Sequence, residues 1–271
     1  MLGLDPDGIA LTCAGRTDAG VHALGQLVHL DVPLAALARQ GTPGTAPGGA
    51  GLLPRLARAL TARLGPEVSV WLAALVPAGF DARRSAISRR YRYDVGTAPA
   101  PDPLRAAVSW QLGEPLELAP MRLAAEALIG EHDFAAFCRR PPPGEVEASL
   151  RRRVIDAGWR VLEGGDLDGE TYRFEIEANA FCQQMVRSLV GLLVAVGRGR
   201  ARPSEVVEHL ASGERGGLPA VAPARGLCLV EVGYPGELGR TLRRPTRPGQ
   251  QPAAPPAGRR AGAVARPAGA P

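Results

Sequence analysis

Residues 154–162 and Thr171–Ala178 are both β-prone, and the turn-forming run Glu163-Gly-Gly-Asp-Leu-Asp-Gly169 stands between them. A connection that short suits an antiparallel pair, because a parallel pair needs a crossover of a dozen or more residues. The rest of the chain keeps to the same plan. Residues 9–14 read as a short strand, and residues 26–32 alternate as a half-buried strand does. Residues 68–76 and 227–232 are further strands. Leu52–Leu64 has apolar residues at 52, 53, 56, 60 and 64 and stops before Gly65-Pro66, as a helix would. Residues 120–129 place Pro at the first helical position and Gly130 at the exit. Residues 181–196 read as a strongly apolar helix with Asn179 as its N-cap, and residues 203–211 as a shorter one. Adjacent strands with helices between them predict an α+β protein with mixed or antiparallel sheets. The expected organisation is two similar α/β halves, residues 1–78 and 79–235, followed by a tail, 236–271. The Gly/Pro/Ala stretch at 41–51 reads as an insertion or flexible loop.

Charge divides the chain unevenly. All 32 basic residues are Arg, against 27 acids, for a net charge of +5. Seven of these Arg (240, 243, 244, 247, 259, 260, 266) and one acid, Glu237, fall in the tail, which therefore carries +6 and leaves −1 for residues 1–235. The tail is dominated by Pro, Gly and Ala, with Leu238, Leu242 and Val264 as its larger aliphatics, so it is expected to be disordered. A nucleic-acid surface on the body must then be a local cluster of Arg. The longest apolar run, residues 189–196, is far short of the roughly 20 residues of a membrane helix. The N-terminal residues lack the basic and apolar regions of a secretion signal, so the expectation is a cytoplasmic protein. Cysteines 13, 138, 182 and 228 and histidines 22, 29, 132 and 209 lack metal-site spacing, which predicts reduced buried thiols, ordinary histidines and no metal.

Three features carry chemistry. In Cys13-Ala-Gly-Arg-Thr-Asp-Ala-Gly-Val-His-Ala-Leu-Gly-Gln26, glycines let the backbone turn sharply around Arg16 and Asp18. A carboxylate beside a guanidinium in such a loop suits a nucleophile or base; an Asx-turn with Arg16 on the surface is the plainer reading. Arg83-Arg-Ser-Ala-Ile-Ser-Arg-Arg-Tyr-Arg-Tyr93 combines phosphate-binding charge with rings that stack on bases. On a strand over residues 90–95, Tyr91 and Tyr93 share one face while Arg90 and Arg92 share the other. The plainer reading is a solvated basic strand with its tyrosines in the core. Arg187, on the apolar helix, either has an anionic partner or snorkels to water.

Together with Gly130-Glu-His-Asp-Phe134, Asn179-Ala-Phe, Met185-Val-Arg187, Gly197-Arg-Gly199 and Gly226-Leu-Cys-Leu-Val-Glu-Val-Gly-Tyr-Pro235, these motifs resemble the tRNA pseudouridine synthase A family in the correct order over residues 8–235. The resemblance implies the pseudouridine synthase fold, two ferredoxin-like halves with sheets joined around a central cleft. It also implies isomerisation of uridine to pseudouridine at positions 38–40 of the tRNA anticodon stem-loop, with no cofactor and by a homodimer. It places the catalytic aspartate at Asp18, the loop arginine at Arg16, the stacking tyrosine at Tyr91 and the aspartate's cationic partner at Arg187. Whether Asp18 attacks carbon or takes a proton stays open. Family members carry several tens of residues before this loop, including a first strand and helix; here Met1 stands 17 residues before Asp18. The first half is therefore expected to be N-terminally incomplete. Gln183-Gln184 stands where two histidines are common. Two other classes fit parts of the pattern. A glycoside-bond hydrolase needs a second carboxylate, which the sequence does not single out. An RNA-binding but catalytically impaired homologue is the other.

Overall fold

The computed structural model describes residues 9–33, 51–139, 149–162 and 169–242. Most of the 41–51 stretch, most of the 163–169 turn and the tail beyond Leu242 lie outside the described residues; Gly51 is described and caps a helix.

Alternation governs the central strands. In β4 (Ser88–Gly96) and β8 (Thr171–Ala178) every second side chain is buried: Arg89, Tyr91, Tyr93 and Val95 on one, Tyr172, Phe174, Ile176 and Ala178 on the other. The outward residues pair across the strands. Arg90 lies opposite Glu177 and Asp94 opposite Arg173, each closing an ion pair at 2.7 Å. Arg160 of β7 (Arg151–Leu162) adds a third ion pair, 3.0 Å from Glu175. A one-residue slip would exchange these charges with the core side chains, so the register is fixed from both faces.

The sheet runs β2-β9-β4-β8-β7-β6, where β2 is His22–Ala23, β6 is Gly130–Asp133 and β9 is Leu227–Gly233. β5 (Trp110–Gln111) pairs in parallel with β4, and β2 in parallel with β9; the other neighbours are antiparallel. With α2 (Leu118–Glu126) and α3 (Met185–Gly197), the order β4-α2-β7-β8-α3-β9 and the spatial order β9-β4-β8-β7 make a ferredoxin-like unit. The α+β class agrees with the sequence reading. α3 is the spine of the core: of its 13 residues all but Arg187 are buried, at about 1.5–3 kcal/mol for each large aliphatic. α4 (Glu205–Ser212) follows it.

Earlier in the chain, β1 (Leu11–Cys13) and β3 (Val28–Leu30) form a separate two-stranded hairpin, and α1 (Leu52–Leu64) holds the expected helix. Residues 68–76 are not a strand. They find no strand neighbour among the described residues, and Val68, Trp71, Leu72 and Leu75 remain exposed.

Four further expectations are corrected. The helix expected at 120–129 begins at Leu118, which puts Pro120 in its third position, and Gly130 opens β6 at φ +118°. Asn179 does not cap α3, which starts six residues later after the left-handed Gln184. Its Oδ1 accepts the Arg153 and Ala180 amides instead, tying the end of β8 to β7. Cys138 and Cys182 are not thiols but a disulfide, with Cα atoms 5.6 Å apart; the Arg139 amide donates to the Gln183 carbonyl at 2.9 Å and brings the two segments together. The tail begins with a helix, α5 (Gly236–Thr241), on which Leu238 and Leu242 sit one turn apart and half-buried. Cys13 and Cys228 are free. Among the described residues no helix is long and apolar enough to cross a membrane, and no group of three or more His, Cys, Asp or Glu is arranged to hold a metal.

Candidate active site

The loop after β1 is shaped by backbone bonds at both ends. The Ala14 amide donates to the Leu27 carbonyl at 2.8 Å, and Gln26 Nε2 to the Gly15 carbonyl at 2.6 Å, so the chain leaves and rejoins the hairpin at fixed points. Within it the Val21 amide closes a turn on the Asp18 carbonyl at 3.1 Å, with Gly20 at φ +80° in the third position. That is the conformation a type II turn asks of glycine. The loop then meets the main sheet through β2, where the Leu24 and Gly25 amides both donate to the Leu229 carbonyl. A Cβ on Gly25 would run into the Val230 carbonyl, at the bulge where β9 slips against Arg90 and Tyr91 of β4.

Asp18 is thereby presented to the first turn of α3. Arg187 Nη1 donates to Asp18 Oδ2 at 2.7 Å, across 169 residues of sequence, with 16% and 25% of the two side chains exposed. Arg187 is itself latched at two points on Ala222. Its Nε donates to the Ala222 carbonyl at 2.7 Å, and its own carbonyl accepts the Ala222 amide at 3.1 Å. The guanidinium is thus aimed by the segment before β9 as well as by its helix. Asp18 Oδ1 has no hydrogen-bond partner among the described residues. The carboxylate is held by one oxygen and offers the other.

Tyr91 lies beneath the loop. It is 7% exposed, a Cβ on Gly15 would sit 3.9 Å from its hydroxyl, and its ring meets Phe181 edge-on with centroids 5.1 Å apart. Burial pushes the phenol up to about 12, with the Arg89 charge opposing and the Asp18 charge adding to the rise. Tyr93, two residues on, is wholly buried; its hydroxyl donates to the Pro223 carbonyl at 2.7 Å, and burial raises its pKa as well.

Of the four residues singled out from sequence, the structure brings together Asp18, Arg187 and Tyr91. Arg16 is exposed on the same loop and makes no ion pair with a described residue. Sequence reasoning missed Phe181 against Tyr91, the Ala222 latch and Arg89. Arg89 was grouped with the phosphate-binding arginines, yet it is 9% exposed and points into the core face; the period-2 pattern it shares with Tyr91 and Tyr93 was the available signal. Arg90 and Arg92 lie on the opposite face, as expected.

Residues 124–235 match the family model described as tRNA pseudouridine synthase. Among curated proteins, the chain is 41% identical over 228 residues to the tRNA pseudouridine synthase A of Corynebacterium glutamicum, covering 84% of this chain and 75% of that protein. It is 41% identical over 249 residues to the protein of the same name from Frankia casuarinae (89% and 82% covered), and 41% identical over 232 residues to that of Streptomyces griseus (84% and 73%).

Proposed function

The chain belongs to the tRNA pseudouridine synthase A family, and on that premise we propose that it isomerises uridine to pseudouridine at positions 38–40 of the tRNA anticodon stem-loop, with Asp18 as the reacting carboxylate. The observation that carries the reading is the Asp18–Arg187 pair, in which the cation is largely covered on α3, fixed on Ala222, and leaves one carboxylate oxygen without a partner among the described residues. Substrate and product are isomers. The glycosidic C–N bond breaks, the uracil turns in place and a C–C bond forms, so the reaction as written needs a directed carboxylate and a site that retains the base. Attack on carbon and removal of a proton both call for an oxygen free of protein bonds, and Oδ1 has no partner among the described residues.

The target base lies in a stem and must be flipped out, at a cost of a few kcal/mol. Arg16, exposed on the catalytic loop, fills the vacated space in this reading and meets the flanking phosphates. Tyr91 supplies the ring against which uracil rests, worth about 1–3 kcal/mol. Because Tyr91 is nearly covered, the base reaches its face by displacing Phe181, which is half-buried, or the loop above it. Work as a homodimer belongs to the same reading and rests on the family resemblance.

The test is to incubate the purified chain with unmodified tRNA and map pseudouridine by base-selective adduct formation and primer extension. Signal confined to positions 38–40 is expected. Signal at other positions contradicts the site assignment, release of free uracil identifies a hydrolase, and retained tRNA without pseudouridine identifies a binding protein.

A further inference from the structure

Arg89 is a buried cation with no carboxylate partner among the described residues. Its two terminal nitrogens instead donate to four backbone carbonyls. Nη1 reaches Ala86 at 3.2 Å and Asn179 at 2.9 Å; Nη2 reaches Ala14 at 3.1 Å and Arg83 at 2.6 Å. Five fixed donors in a plane make this possible for Arg, whereas a single ammonium with three donors cannot satisfy the same four acceptors. The identity of those acceptors gives the arrangement its meaning. Ala14 is the last residue before the loop, four positions ahead of Asp18. Asn179 follows β8 and leads through Phe181 into α3, eight positions ahead of Arg187. Ala86 and Arg83 belong to the segment entering β4, the strand of Tyr91.

We propose that Arg89 is a positioning residue that sets the Asp18 loop against the Phe181–Arg187 segment, through carbonyl bonds to Ala14 and Asn179, and does not bind RNA phosphate. The proposal rests on the reading of Asp18 as the reacting carboxylate. Burial depresses the Arg89 pKa, which accords with a cation held by dipoles rather than by an anion.

The experiment uses the full chain with Arg89→Lys and Arg89→Met, and three readouts: kcat and KM for pseudouridine formation in tRNA, the thermal midpoint, and the rate at which Cys13 is alkylated. Cys13 is a free, half-buried thiol next to Ala14, so its reactivity reports release of the loop without reference to catalysis. Misplacing a reacting group by 1 Å costs on the order of 100-fold in rate, so kcat should fall by about 10-fold in Arg89→Lys and about 100-fold in Arg89→Met. KM for tRNA should stay within about 3-fold, since no phosphate contact is lost. Cys13 alkylation should accelerate in both. Should Arg89→Met fail to fold, Arg89→Lys carries all three readouts. A raised KM with unchanged kcat, or a lowered midpoint with kcat and Cys13 reactivity unchanged, overturns the proposal. If the unmodified chain makes no pseudouridine at all, the functional reading fails, and Cys13 alkylation still decides whether Arg89 anchors the loop.

Discussion

Tyr91, the ring proposed to support uracil, sits where the plainer reading puts it. It is a core side chain by burial, and its hydroxyl makes no hydrogen bond to a described residue. Removing that hydroxyl breaks nothing, so Tyr91→Phe should keep activity within about 3-fold and leave the fold intact, while Tyr91→Ala should lose the platform, about 1–3 kcal/mol of stacking, and a core side chain worth about 3–5 kcal/mol. Measured kcat and denaturant midpoints for the two variants check this, and equal losses in both would give the hydroxyl a chemical role. Arg187 takes one of its two readings, the anionic partner, and does not snorkel to water. Its guanidinium is mostly covered, as a helix in the core demands, and it has the anionic partner that the sequence argument asked for. That partner was readable because one cation stood on an otherwise apolar helix. The Arg89 contacts were not readable, because they depend on carbonyls up to 90 residues away that carry no side-chain signature.

Among the elements, the segment 220–222 does more than connect α4 to β9. It approaches α3 so closely that a Cβ on Gly191 would lie 2.5 Å from the Ala220 carbonyl, and two residues later Ala222 holds Arg187. Gly191→Ala should therefore push this segment away, cost about 1–3 kcal/mol by overpacking, and lower kcat by turning the guanidinium from Asp18. Gly158→Ala on β7, where an added Cβ meets nothing within 4 Å, is the control and should change neither stability nor kcat appreciably. Strands β4, β7, β8 and β9 and helix α3 were legible because period-2 alternation and an unbroken apolar run are local signals. Residues 68–76 carry similar strand propensity, yet among the described residues no strand runs beside them, and propensity alone does not make a strand. Asn179 misled for a related reason: a good N-cap residue was claimed by the neighbouring strand, whose Arg153 amide it accepts. The Cys138–Cys182 disulfide joins residues 44 apart, a separation no spacing rule picks out.

At the scale of the whole molecule, titration and charge make separate predictions. Tyr91, Tyr172 and Tyr234 are each held up at about 12, burial being the leading cause in all three. The folded state then keeps protons that the unfolded chain releases from pH ~10 upward, so stability should be level below pH ~10 and fall as the pH rises toward 12. Chemical denaturation followed across that range should show the decline; a flat profile would mean that these phenols titrate normally. Residues 243–271 carry six Arg and no acid. Deleting them should leave turnover at saturating tRNA unchanged and flatten the dependence of log affinity on log salt, because fewer counterions are released on binding. Loss of turnover, or an unchanged slope, would contradict a purely electrostatic part for this segment. The central claim is that Asp18, aimed by Arg187, carries out the isomerisation. Its most direct test is single-turnover pseudouridine formation by Asp18→Ala, with tRNA affinity measured on the same sample. No detectable product is expected, with affinity within about 3-fold of the unmodified chain, since the carboxylate acts after docking; substantial product from Asp18→Ala would contradict Asp18 as the reacting group.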